Sequence, residues 1–300
     1  MANGDRGLGR TGVWTDFDPL LIEDALTYAA RVESLGFGTL WVPDVVGREP
    51  FTLLGLLAGV TSSIGLGTSI VSIWGRDAQA TRMATLTLQE ATGGRFTLGL
   101  GVSHLHLAQK VRGHTYERPL TRMREYLSAY RSAIYKGPMP DGMPEPLVLL
   151  AALRERMLTL AATDADGAFP YLVTVERLAW MRGVLDAGPA DQRPVLAVSL
   201  PCVLETDPEA ARATARLYLT HYLRTPNYRA AWAEQGFGEA DWDKPGSDRL
   251  VDAMVAWGDA DTLRVRLGEM LTAGADHVAI VPVTPAGDTV HLPVIEALAG

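Results

Sequence analysis

The chain has 300 residues, 47% hydrophobic and 21% charged, an ordinary globular composition that suits one large domain or two small ones. Its formal charge is −8 and its few lysines and many arginines form no basic run, which argues against a nucleic-acid partner. The single cysteine, Cys202, excludes a disulfide framework and a cysteine zinc site. No apolar run reaches the roughly 18 residues of a membrane span, and MANGDRGLGR lacks the apolar region of a signal peptide. A reducing, cytoplasmic setting with no membrane contact is expected.

Gly7 to Trp14 reads as a first strand. Asp18-Pro19 is a cap and first-turn pair that opens a helix with Ile22, Ala25, Leu26, Ala29 and Val32 on its buried face, closed by Gly36. Thr39 to Val42 is a second buried strand, ending at Pro43-Asp44, and Phe51 to Thr61 is apolar and helical. Leu66 to Ile73 is a third strand, whose end, Ser72-Ile73-Trp74, stops being purely apolar. The next helix carries Ala80, Met83, Ala84, Leu88 and Ala91 at core-facing spacing and stops at Gly93-Gly94. The strand Phe96 to Gly101 follows and ends in Val102-Ser103-His104. Apolar strands joined by a helix form a βαβ unit of a parallel sheet, and such sheets hold ligands at the carboxyl ends of their strands.

Residues 105 to 118 read as a polar loop, and Leu120, Met123, Leu127, Tyr130 and Ile134 mark an amphipathic helix. GPMPDGMPEP is a surface turn before the strand Leu147 to Ala151. A helix from Arg154, a short strand from Asp166 to Pro170, a helix around Leu178, Met181 and Leu185, and the strand Val195 to Val203 follow. Thr206-Asp207-Pro208-Glu209 is a strong helix start. Residues 218 to 258 crowd tyrosines and tryptophans between helical pieces and read as an inserted helical lobe. Asp259 to Ala273 is a helix, His277 to Val283 the last strand, and Leu292 to Leu298 a closing helix.

Eight apolar strands alternating with helices predict an α/β fold, a (β/α)8 TIM barrel in one domain over residues 1–300, with a helical insertion between strands 7 and 8. An open doubly wound sheet is the alternative. Gly7-Leu8-Gly9-Arg10-Thr11-Gly12 has the dinucleotide-loop spacing, but it precedes the first strand.

Candidate site residues gather at the strand ends. Asp44 serves a site, or it caps a helix or pairs with an arginine. His104 moves a proton or binds substrate, since imidazole titrates near neutrality, or it only bonds within a loop. His106 and His114 have no carboxylate at ligand spacing, so no metal is expected. Trp14 and Trp74 wall a planar ligand or pack the rim. Gly101, Val102 and Ser103 let a backbone approach a cofactor tail or form a plain turn. Phe169 and Tyr171 line a pocket or the core.

Several segments together carry a family resemblance: Ser34 to Trp41, Trp74-Gly75-Arg76-Asp77, Gly93 to His104 (GGRFTLGLGVSH), Ala165 to Ala168 and Gly274 to Val278. They resemble the luciferase-like monooxygenase superfamily, and within it the oxidoreductases that use the deazaflavin coenzyme F420. The resemblance implies a (β/α)8 barrel whose third strand ends in a bulge with a non-proline cis peptide against the cofactor ring, by motif Ser72-Ile73. It implies a phosphate held by backbone near Ala152 to Arg156, with Arg154 adding charge. It implies hydride exchange between F420 and a small organic substrate, in a homodimer; from its place at a strand end, His104 is the polar group expected to face that substrate, with Asp44 second to it. Val45 stands where many relatives carry a histidine, and Leu153-Arg154-Glu155 where many carry a glycine-rich turn. The alternatives are an FMN-dependent monooxygenase fed by a flavin reductase, and a barrel that binds a flavin or other ligand without turnover.

Overall fold

The apolar runs pair in parallel, in chain order, and close on themselves. A computed structural model describes residues 7–189 and 193–300, so the first six residues of the N-terminal segment lie outside it. The barrel strands are β1 (Thr11–Trp14), β2 (Thr39–Val42), β3 (Gly65–Thr68), β4 (Phe96–Gly101), β5 (Leu147–Leu150), β6 (Gly167–Ala168), β7 (Val195–Leu204) and β8 (His277–Pro282). β8 pairs with both β7 and β1, which closes the ring; Val13 faces Leu40 on one side and Ile280 on the other. The fold is a TIM barrel, and the open doubly wound alternative is excluded by that closure.

The third strand is interrupted. Leu66 to Ile73 is not one strand: β3 stops at Thr68, and the chain pairs again only over Val71–Ser72, against Leu100 and Gly101 of β4. The residues between make a bulge, and the non-proline cis peptide lies there, at Ser69-Ile70, not at Ser72-Ile73. The apolar pattern hid the break because Ile70, like Val71 and Ile73, is apolar and β-branched.

The helices before the last two strands are α1 (Ile22–Ser34), α2 (Pro50–Ala58), α3 (Ala78–Ala91), α4 (Pro119–Ser132), α5 (Glu155–Asp164) and α6 (Val175–Asp186). Between β7 and β8 come α7 (Pro208–Leu219), α8 (Pro226–Ala233), α9 (Glu239–Trp242), α10 (Asp248–Met254) and α11 (Ala260–Thr272), and α12 (Leu292–Leu298) closes the chain. A short segment, Ala256–Gly258, pairs with the far end of β7 and takes Trp257 out of the run of helices. Asp207 caps α7 by accepting the Ala210 N–H at 2.8 Å, and Asp259 caps α11 through Thr262 at 2.9 Å. Among the described residues no helix is long and apolar enough to cross a membrane.

Two helix expectations are corrected. Asp18-Pro19 does not open α1, which starts at Ile22 without a side-chain cap. The Asp18 carboxylate is drawn away to the Arg48 backbone N–H, 2.6 Å. Ile22 is exposed, and Tyr28 joins Ala25, Ala29 and Val32 on the buried face. The buried face of α3 is also rotated. Met83 is 49% exposed and Ala91 is exposed, whereas Thr81, Thr85, Leu88 and Gln89 are buried. Two of the polar residues on this core face, Thr81 and Gln89, are satisfied by partners from outside the helix. Thr81 shares a hydrogen bond with the Tyr126 hydroxyl. Gln89 accepts the Phe96 N–H at 3.1 Å and donates to the Pro144 carbonyl at 2.8 Å. Gln89→Leu leaves two backbone groups unpaired and is expected to lower the unfolding free energy by about 2–4 kcal/mol. Met83→Ala, on the outer face, should stay within about 0.5 kcal/mol of wild type, and urea titration of both variants checks the contrast.

Candidate active site

The carboxyl ends of β1 to β4 meet at the bulge. Trp14 ends β1, and its indole N–H donates to the Ser69 carbonyl at 2.8 Å. The Asp44 backbone N–H, just past β2, donates to the Ile70 carbonyl at 3.3 Å. The bulge is thus gripped from two strands. Ile70 lies on β4 where that strand has no side chains: a Cβ on Gly101 would sit 2.3 Å from Ile70 Cδ1, and one on Gly99 would sit 3.1 Å from Ile70 Cγ2. Gly99 and Gly101 are two apart, so both face the same side of the strand.

The Asp44 carboxylate has two fixed partners. Oδ2 accepts the Ser72 N–H at 3.0 Å, and Arg112 Nη2 donates to Oδ1 at 2.7 Å. The arginine-pair reading of Asp44 is the one this geometry supports. Arg112 lies in the 105–118 segment, which holds a π-helical turn at Leu107–Val111 and is not a plain loop. Trp74 donates its indole N–H to the Val102 carbonyl at 2.9 Å, and its ring lies 5.9 Å from those of His114 and Tyr116. The Tyr116 hydroxyl donates to the Ser103 carbonyl at 3.3 Å. Ser103 takes the left-handed conformation, φ 55°, which a non-glycine residue adopts only when its surroundings fix it.

His104 follows at the same strand end. Its Nδ1 is buried without a hydrogen-bond partner, and its ring lies 5.7 Å from Tyr228. Burial holds its pKa below the usual histidine value, so the imidazole is neutral at pH 7. Facing it, Tyr228 packs with Tyr222 at 5.2 Å, Tyr222 with Tyr171 at 5.5 Å and Tyr218 with Tyr222 at 5.8 Å. The Tyr171 and Tyr218 hydroxyls bond to each other. Burial raises the pKa of all four, which keeps them protonated donors.

Other predicted residues lie elsewhere. Phe169 is 3% exposed and packs edge-on to Trp41 at 4.7 Å, inside the barrel and not at its mouth. Ile73 and Ala152 are buried in the main core, Ile73 with its N–H on the Gly101 carbonyl at 3.0 Å. Arg154 is exposed at the start of α5 and supplies no cap there. The sequence reading missed Arg177. It is 9% exposed in α6, donates to the Leu153 carbonyl at 3.0 Å and to Glu234 at 2.5 Å, and stacks on Trp180 at 3.7 Å. A buried arginine has no sequence signature, because its partners lie 24 and 57 residues away. Among the described residues no three His, Cys, Asp or Glu side chains gather as a metal site.

A parallel ring closed by the pairing of β8 with β1 and β7 defines a TIM-barrel protein, and the gripped bulge and the polar groups at its carboxyl rim make up its candidate site. The family model for luciferase-like monooxygenases matches residues 9–277, and the chain belongs to that family. It is an oxidoreductase by that membership. It is 27% identical to a 5,10-methylenetetrahydromethanopterin reductase of Methanolobus tindarius, over 86% of this chain and 90% of that one. A putative coenzyme F420-dependent oxidoreductase of Mycobacterium tuberculosis is 36% identical over 34% of this chain and 29% of its own. Among solved structures, an F420-dependent secondary alcohol dehydrogenase with an F420-acetone adduct superposes with TM-score 0.76 at 15% identity, covering 97% and 99% of the two chains. A type II Baeyer-Villiger monooxygenase from Pseudomonas putida with FMN superposes with TM-score 0.73 at 16% identity, covering 97% and 96%.

Proposed function

We propose that this chain is an F420-dependent oxidoreductase acting on a small organic substrate. The observation that carries the reading is the likeness to the mycobacterial putative F420-dependent oxidoreductase, joined to a bulge and strand-end groups suited to a flat ring. The residues present fit such a cofactor. Ile70 offers an apolar shelf over the two glycines of β4. The unpartnered His104 Nδ1 offers a hydrogen-bonding group beside it. Arg154, with the uncapped start of α5, offers a cation and backbone N–H groups for a phosphate. Bound F420 supplies hydride exchange at its ring carbon.

The chain's own groups divide the remaining work. Trp14 and the Asp44 N–H hold the bulge at Ser69 and Ile70. The Asp44 carboxylate fixes the Ser72 backbone and Arg112, so Asp44 positions the rim. Ser72, Trp74, Gly101, Val102 and Ser103 form the wall toward the cofactor. His104, neutral and half-buried, faces the substrate and accepts or returns a proton. Phe169, Ile73 and Ala152 support this wall from below, as core. Arg177 holds the Leu153 carbonyl, and so the link on which Arg154 stands.

Titration of the purified chain with F420 and, separately, with FMN tests this, read as cofactor fluorescence. Saturable micromolar F420 binding with no FMN binding is expected. Tight FMN binding without F420 binding favours the monooxygenase alternative and ends the F420 reading.

A further inference from the structure

Beside the barrel mouth lies a cleft of about 320 Å³, within the size of small-molecule sites. Residues 44–51, Val71, Ser72, Gly75, Arg76, Thr81, Val111 and Arg112 form its walls. One wall is cationic. Arg112 gives a single N–H to Asp44, and Arg76 gives one to Glu49 at 3.1 Å while lying over the Phe51 ring. Each guanidinium has five donors, so both keep several in reserve. Arg76 Nε is buried with no acceptor at all. Arg48, the third arginine, gives two of its donors to the Phe17 and Leu20 carbonyls. The other wall is apolar and open: Val46 is 68% exposed, Val111 54% and Val45 36%. Asp44 and Glu49 also line the cleft, and each already has an arginine partner.

Spare charge-bearing donors beside open hydrocarbon, on a chain of net charge −8, call for an anionic acceptor that carries an apolar body. We propose that this cleft binds a small organic acid, with its carboxylate on Arg76 and Arg112 and its hydrocarbon against Val46 and Val111. An incoming carboxylate supplies the acceptor that Arg76 Nε lacks, and the planar guanidinium fork matches its two oxygens. The inference does not depend on which cofactor the barrel uses, because the cleft is formed without one.

Calorimetric titration of the full chain, free of cofactor, with octanoate, octanol and inorganic phosphate tests it. Octanoate should bind saturably, and octanol and phosphate each at least about tenfold more weakly, since either half of the site alone is insufficient. Arg76→Gln should weaken octanoate by about ten- to a hundredfold. Val46→Asp changes an exposed residue, so the thermal midpoint should hold while octanoate affinity falls at least about tenfold. No saturation by about 10 mM octanoate, phosphate binding as tightly as octanoate, or unchanged affinity in both variants would each overturn the proposal.

Discussion

His277→Ala is expected to lower the unfolding free energy by about 3–5 kcal/mol. His277 opens β8 at the amino-terminal end of the barrel and is fully buried. Its Nε2 accepts the Trp41 indole N–H at 2.9 Å, so the ring proton is on Nδ1, which donates to the Gly9 carbonyl at 2.8 Å. One side chain therefore ties the interior tryptophan to the segment that leads into β1. The sequence makes room for it with glycine: a Cβ on Gly12 would lie 2.7 Å from the imidazole, and one on Gly67 would lie 2.4 Å from Trp41. Alanine leaves a cavity, an indole donor without an acceptor and a carbonyl without a donor. His277→Gln keeps an amide able to meet both partners and should recover at least half of the loss in the same denaturant titration.

The same residue gives a pH signature. Burial lowers its pKa, outweighing the backbone carbonyls that favour the charged form, and the value falls from 6.5 to about 4. A protonated Nε2 would also set donor against donor at Trp41. The folded pKa is below the unfolded one, so between pH 6.5 and about 4 the unfolded chain binds the extra proton. Stability is then fully retained above pH 6.5 and declines as pH falls toward 4, by about 3 kcal/mol from this group. Carboxylates titrate over part of the same range, so the comparison is between wild type and His277→Gln. The drop in urea midpoint from pH 7 to pH 4.5 should be clearly smaller in the variant. Equal drops would mean that His277 does not titrate in this window.

How much of this was legible depended on where the partners of each residue lie. The barrel was readable because a strand buried on both faces must be apolar throughout, as Leu40, Leu66, Leu98 and Ile280 are. Strand ends were readable too, so Asp44, Trp14 and His104 stood out. The face of α3 was not, because Thr81 and Gln89 are buried only by virtue of Tyr126 and Pro144, 45 and 55 residues on. The pairing of Asp44 with Arg112 spans 68 residues, and that of Trp41 with His277 spans 236. Local pattern carries no information about either. One signal was available and went unread: Gly99 and Gly101 alternate along one face of β4, which marks a strand stripped to admit a neighbour.

That pair of glycines carries the second large prediction. Gly101→Ala is expected to weaken F420 binding at least about tenfold while lowering stability by only about 1–3 kcal/mol. The new methyl group would sit 2.3 Å from Ile70 Cδ1 and 2.8 Å from its Cγ1, against 3.3 Å from Ala151 Cβ. Ile70 is the neighbour that must yield, because the tip of its side chain rotates more easily than strand backbone moves. The sheet closes one side of it, so the side chain swings toward the mouth, where the flat ring is proposed to rest. Gly99→Ala makes a contrasting control. Its Cβ would meet the Thr68 carbonyl oxygen at 2.1 Å, which is backbone, so this variant should lose stability before it reveals anything about binding. Ile70→Ala supplies the other arm. If Ile70 and Gly101 act through one contact, the double variant should be more stable than the two single losses predict, a coupling of about 0.5–3 kcal/mol. Additive losses in stability, with F420 affinity unchanged in Gly101→Ala, would show that Ile70 is core packing and that the ring rests against another wall.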